Sequence, residues 1–141
     1  AEFYTLPGQQ ARLNDLLAQQ AAGRAMPWLL SAGDEVVGRL TLNTIVRGPF
    51  LSADLGYWID AGYAGRGLTT AAVREVCRMA DQELGLHRVA AGTLLDNAAS
   101  QSVLRKCGFE PIGVAPRYLE IDGRWQDHRL FQRVLNDRPA R

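Results

Sequence analysis

"YAGRGLTTAAVREV", residues 63–76, sets two glycines around one arginine and runs directly into a helical pattern. The stretch before it, "SADLGYWID" (52–60), reads as a strand. After it, Ala72, Val73, Val76, Cys77, Ala80 and Leu84 recur at three- and four-residue steps. That spacing predicts a helix over 69–84, with Gly85 as its stop. Strand, glycine turn and helix together make a device for anions. The first amides of a helix have no internal partner, and the helix dipole adds about half a positive charge at that end. Glycine lets the backbone close on an anion with no Cβ in the way. Arg66 would add a charge-assisted contact at the rim.

Two general phosphate templates can be tested against the turn. The P-loop, G-x-x-x-x-G-K-S/T, needs a lysine after its last glycine, and Leu68 follows Gly67. The dinucleotide fingerprint G-x-G-x-x-G matches at Gly65 and Gly67 but meets Thr70 in the third place. It also expects a parallel βαβ unit, and the preceding sequence reads otherwise. A turn that holds no ligand accounts for the local residues as well as an anion site does.

Working outward, "GQQARLNDLLAQQAAG" (8–23) is rich in helix formers and carries an apolar stripe at Leu13, Leu16, Leu17 and Ala21. Residues 27–31 and 34–46 read as strands, with Gly38 a candidate bulge in the second. With 52–60 they make a meander. Residues 87–95 read as another strand. Asn97 then caps a short helix, 98–107, closed by Gly108. Two last strands, around "FEPIGVAPRYLEI" and "WQDHRLFQRVL", meet at Asp122-Gly123, a strong hairpin signal. The expected architecture is a mixed α/β layer of the α+β class with a largely antiparallel sheet.

The chain has 141 residues, which suits one domain, residues 1–141. Its formal net charge of +1 argues against a general nucleic-acid-binding surface. The sequence contains no apolar run of 18 residues, so no membrane span is expected. The opening "AEFYTLPGQQ" lacks the order of a signal peptide. Cys77 and Cys107 lie within apolar patterns and without metal-ligand spacing, and no metal is expected. They read as buried thiols of a cytoplasmic protein. Of sixteen basic residues only Lys106 is a lysine, which reads as codon bias.

From about residue 35 to 135 the chain resembles the GNAT acyltransferases. "LGYWIDAGYAGRGLTTAAV" is similar to their motif A, and "DNAASQSVLRKCGFEPIG" to their motif B. The likeness is strongest to the RimJ/RimL branch, the ribosomal-protein N-terminal acetyltransferases, where "GYW" and "N-x-x-S…GF" are usual. The family loop is commonly Gln/Arg-x-x-Gly-x-Gly/Ala; here Ala64, Gly67 and Thr69 stand at its first, fourth and sixth places. Family members also open with a strand and helix not seen ahead of this region, so the chain is expected to lack part of the acceptor pocket.

The resemblance implies an acyl-coenzyme A site where the family's fourth and fifth strands splay into a V. It implies that Gly65, Arg66, Gly67, Leu68, Thr69 and Thr70 hold the pyrophosphate, with Trp58 and Ile59 pairing with the pantetheine arm. It implies that Asn97 touches that arm. Amine attack on a thioester needs a base, an oxyanion donor and a proton for the leaving thiolate. The tyrosine many members use as the acid is replaced by Leu104; the resemblance offers Ser100 instead, which would equally serve as a helix-capping serine. It offers Asp54 as a base acting through water. Asp54, Gly56 and Trp58 share one strand face by alternation. Glu120, Asp127 and His128 are weaker candidates, and His87 reads as structural. Tyr57 reads as core or cleft wall. Tyr118 and Trp125 are placed at the acceptor site only by their position in the last hairpin. Arg117, Arg124 and Arg129 suit either an acidic acceptor or a solvated surface.

The expected activity is acetyl transfer from acetyl-CoA to a primary amine, a protein N-terminus or a small amine. Another acyl group such as succinyl, and a non-catalytic acyl-CoA-binding module, are the alternatives. The resemblance leaves a homodimer open.

Overall fold

The computed structural model describes residues 23–63 and 67–140. The expected helix over 8–23 lies outside them but for Gly23. Among the described residues eight elements follow one another: β1 (Met26–Ala32), β2 (Glu35–Val46), β3 (Ser52–Ile59), α1 (Leu68–Gln82), β4 (Arg88–Leu94), α2 (Ala98–Lys106), β5 (Glu110–Ile121) and β6 (Arg124–Val134). They build one six-stranded sheet of order β1-β2-β3-β4-β6-β5.

The meander forms as expected. β1 pairs with β2 and β2 with β3, both antiparallel. The bulge in β2 falls one residue from the expected Gly38. Leu30 opposes Gly38 and Ser31 opposes Val36, so Val37 is the extra residue. Gly38 has a different task. A Cβ there would stand 2.8 Å from the Trp58 carbonyl oxygen and 3.0 Å from Ile59 Cγ1. Only glycine lets β2 run this close to the end of β3. The last two strands join through Asp122 and Gly123, whose φ values of 53° and 81° are those of a tight hairpin turn.

The core lies between the sheet and the two helices. α1 buries Val73, Val76, Cys77 and Ala80, the stripe its periodicity marks, and α2 buries Leu104. They pack with Leu40, Leu42, Leu55, Val89 and Phe131 from the strands. Burial lifts the Cys77 thiol pKa to about 11, so neither it nor the buried Cys107, also raised, presents a thiolate.

The feature that positions the site is the join between β3 and β4. They pair in parallel over only three positions: Ser52 with Arg88, Ala53 with Val89, and Asp54 with Ala90. Past Asp54 the ladder ends. β3 runs on beside β2, while β4 runs on beside β6. The strands part, and α1 and α2 stand beside the opening.

Candidate active site

Three elements converge on the opening. Gly67 precedes α1 with φ of 76°, a left-handed conformation that favours glycine. A Cβ added to it would meet nothing within 4 Å. The first intrahelical bond runs from the Ala71 amide to the Gly67 carbonyl, so the amides of Leu68, Thr69 and Thr70 have no helical acceptor. No acidic residue stands in that first turn. The positive end of α1 is therefore uncompensated by its own side chains.

α2 starts at Asn97, whose side chain accepts a 3.1 Å hydrogen bond from the Ser100 amide. That leaves the Ser100 hydroxyl to other work. It lies 2.5 Å from the hydroxyl of Tyr57 on β3. The Tyr57 oxygen is also 3.5 Å from the Ser100 carbonyl. Burial raises the Tyr57 pKa, against the opposing effect of its bond to Ser100, so the phenol holds its proton at neutral pH.

A cavity of about 520 Å³ gathers these groups. Trp58, Ile59, Gly67, Thr69, Thr70, Asn97 and Ser100 line it, together with Tyr57, Ala99, Ser102, Val103 and Lys106. Its size is that of a small-molecule site. Leu68 is beside it without lining it, and Gly65 and Arg66 lie outside the described residues. Lys106 also lines the cavity, a place that composition does not indicate. Ala99, Ser102, Val103 and Lys106 recur at three- and four-residue steps, so one face of α2 carries them all to the cavity.

Asp54 is not among the lining residues. Ala53 and Leu55 are buried and Asp54 and Gly56 exposed, so β3 alternates, with Asp54 facing away from the helices. It marks the last paired position before the strands part. Its surface is open on one side, but protein crowding the other raises its pKa, with the Arg88 guanidinium pulling the opposite way. Arg88 is held in turn by a 2.6 Å bond to Gln132 Oε1.

The remaining candidates have other occupations. His128 is buried, with Nδ1 2.9 Å from the Gln126 carbonyl and its ring against Tyr118. Asp127 accepts from the Arg117 amide. His87 Nδ1 meets the Asn136 carbonyl at 2.5 Å, the structural role read for it. Trp125 is exposed beside a second, more open cavity at the hairpin tip, which Arg124 shares with Asp96, Asp122 and Asp127. Among the described residues no three His, Cys, Asp or Glu side chains cluster as a metal site would require.

A model of the acetyltransferase (GNAT) domain matches residues 2–110. The chain belongs to the GNAT acetyltransferase family. The GNAT relatives include a probable N-acetyltransferase, YjcK, of Bacillus subtilis, 34% identical over 137 residues, spanning 96% of this chain and 75% of that one. The ribosomal protein uS5-alanine N-acetyltransferase of Escherichia coli is 35% identical over 125 residues, 87% of this chain and 64% of the enzyme. Among solved GNAT structures, Mycobacterium smegmatis RimJ in complex with CoA-disulfide superposes with a TM-score of 0.87 at 32% identity, covering 94% of this chain and 63% of RimJ. These relatives place the chain in the RimJ/RimL-like branch. The chain thus spans just under two thirds of the Escherichia coli enzyme and of RimJ. The chemistry of GNAT enzymes is N-acyl transfer from acyl-coenzyme A, and the parting of β3 and β4 is the V expected of their fold.

Proposed function

We propose that this protein transfers an acetyl group from acetyl-CoA to the primary amine of a protein N-terminus. The observation that carries the reading is the single cavity in which the uncapped end of α1, the outer end of β3 and the Asn97–Ser100 turn of α2 meet. Each supports one part of the donor. The free amides at Leu68 to Thr70 suit a pyrophosphate, Lys106 lines the same cavity, and Gly65, Arg66 and Gly67 belong to the same proposed contact. Backbone at Trp58 and Ile59, past the end of the β3–β4 ladder, suits a pantetheine arm laid down as an added strand. Asn97 and Ser100 then flank the thioester. Ser100 donates toward the leaving sulfur, and Asp54, on the far side of β3, draws the proton from the incoming amine through water. A protein acceptor is supported by the relatives named for ribosomal proteins. A cytoplasmic location is supported by two buried free thiols.

The test is a titration with acetyl-CoA followed by incubation with peptides and small amines while free thiol is measured. Thiol release with an N-terminal peptide, and not with small amines, is the expected result. Release from succinyl-CoA alone would move the reading to another acyl group, and binding with no release from any acceptor would make the protein a carrier module. Gly67→Asp sets a carboxylate at the pyrophosphate and is expected to abolish coenzyme A binding in calorimetry; unchanged affinity would refute the loop assignment.

A further inference from the structure

A serine by itself is a poor acid for a thiolate. Its hydroxyl holds its proton far more tightly than a thiol does, so a lone serine that protonated the leaving sulfur would become the stronger base of the two. Ser100 therefore needs a second group that returns a proton as it gives one up. The structure supplies one group in position. Tyr57 reaches across from β3, and its oxygen stands 2.5 Å from Ser100 Oγ. Both line the same cavity.

Their surroundings make the pair a unit. The Ser100 amide is already committed to Asn97, which fixes the first turn of α2 and with it the serine. Tyr57 is half-buried and packs against the core, which limits its motion. The site that in many relatives holds an acidic tyrosine is here Leu104, fully buried and turned to the core. A phenol is thus present at the helix, but it arrives from the sheet.

We propose that Tyr57 is a further catalytic residue: its phenol and the Ser100 hydroxyl form a two-proton relay to the leaving sulfur. As the C–N bond forms and the C–S bond breaks, the sulfur takes the Ser100 proton and Ser100 Oγ takes the Tyr57 proton. The acceptor nitrogen sheds one proton, and water carries one to the phenolate. The donor thioester and amine become an amide and a thiol with no other reactant. Burial keeps the phenol protonated between turnovers.

The relay rests on the acetyl-CoA reading above, and the experiment separates the two. If the unaltered protein bound acetyl-CoA but released no thiol with any amine, the transferase reading would fall and the relay with it. With an active protein, Tyr57→Phe is expected to lower single-turnover acetyl transfer by about 10²-fold or more while coenzyme A affinity stays within about twofold. Ser100→Ala should lose a similar amount, and the double variant little beyond either single one. Rates in mixed light and heavy water should fit one fewer proton in flight for Tyr57→Phe than for the unaltered protein. A Tyr57→Phe rate within twofold, multiplicative losses in the double variant, or an unchanged proton count would each overturn the relay. The proton count sets this role apart from a tyrosine that only props the serine in place.

Discussion

Asp54 sits where two demands on a carboxyl group conflict. Crowding raises its pKa and the Arg88 guanidinium lowers it, with crowding the larger influence. The proton is then held more tightly in the folded chain than in the unfolded one. Stability from this group is therefore lost as pH rises from the ordinary carboxylate value through the raised one. Activity that needs the ionised base moves the other way and falls as pH drops through the raised value. Asp54→Asn is expected to keep or slightly raise the melting temperature at pH 7 while lowering kcat by about 10²-fold or more. Arg88→Gln removes the opposing charge, so the acid limb of kcat/KM should shift to higher pH; a shift to lower pH would sink the role given to Asp54. Tyr57 is legible in the sequence only as core or cleft wall. Its hydroxyl matters through a residue 43 positions away, and no local spacing encodes that contact.

Among the elements, β2 and β3 offer a controlled comparison of two glycines. Gly38→Ala drives a methyl to 2.8 Å from the Trp58 carbonyl, backbone that cannot rotate aside. Gly56→Ala meets only Asn43 Nδ2 at 3.5 Å, ordinary contact. Gly38→Ala should therefore weaken coenzyme A binding, because Trp58 and Ile59 shift, and leave adenosine 3′,5′-bisphosphate, which lacks the arm, bound as before. Gly56→Ala should bind both normally. Equal effects of the two substitutions on coenzyme A would remove Gly38 from the arm-binding edge. Elements with a strong local code were the ones legible in advance. The α1 stripe, the Asn97 cap and the Asp122-Gly123 turn each follow from a few adjacent side chains. The bulge was misplaced by one residue because its position depends on β1, a partner the local pattern of β2 does not mention. The place of Lys106 on the cavity is illegible for a similar reason: it depends on where α2 points, and that is set by how α2 packs.

Across the whole molecule, the chain closes on itself after β6. The Leu135 amide bonds to the His87 carbonyl, and Asn136 Nδ2 reaches both Asp81 Oδ1 and the Leu86 carbonyl. Arg138 adds an ion pair to Asp81 at 2.7 Å, exposed enough to be worth little. Asn136→Ala leaves the carbonyl of the buried Leu86 without that donor, and about 1–3 kcal/mol of stability should be lost in chemical denaturation. Arg138→Ala should cost under about 1 kcal/mol. A loss for Asn136→Ala no larger than that for Arg138→Ala would show that the tail does not hold the end of α1.

The three-pair ladder between β3 and β4 also has a mechanical consequence. It is the only hydrogen-bonded seam between two antiparallel blocks, β1-β2-β3 and β4-β6-β5, among the described strands. Each block is stitched along most of its length, and the seam along little of its own. Native-state hydrogen exchange should show the amides at the seam trading with solvent sooner than those inside either block. Coenzyme A, bridging both sides, should slow that exchange. The short seam is then the line along which the two blocks come apart at the least cost.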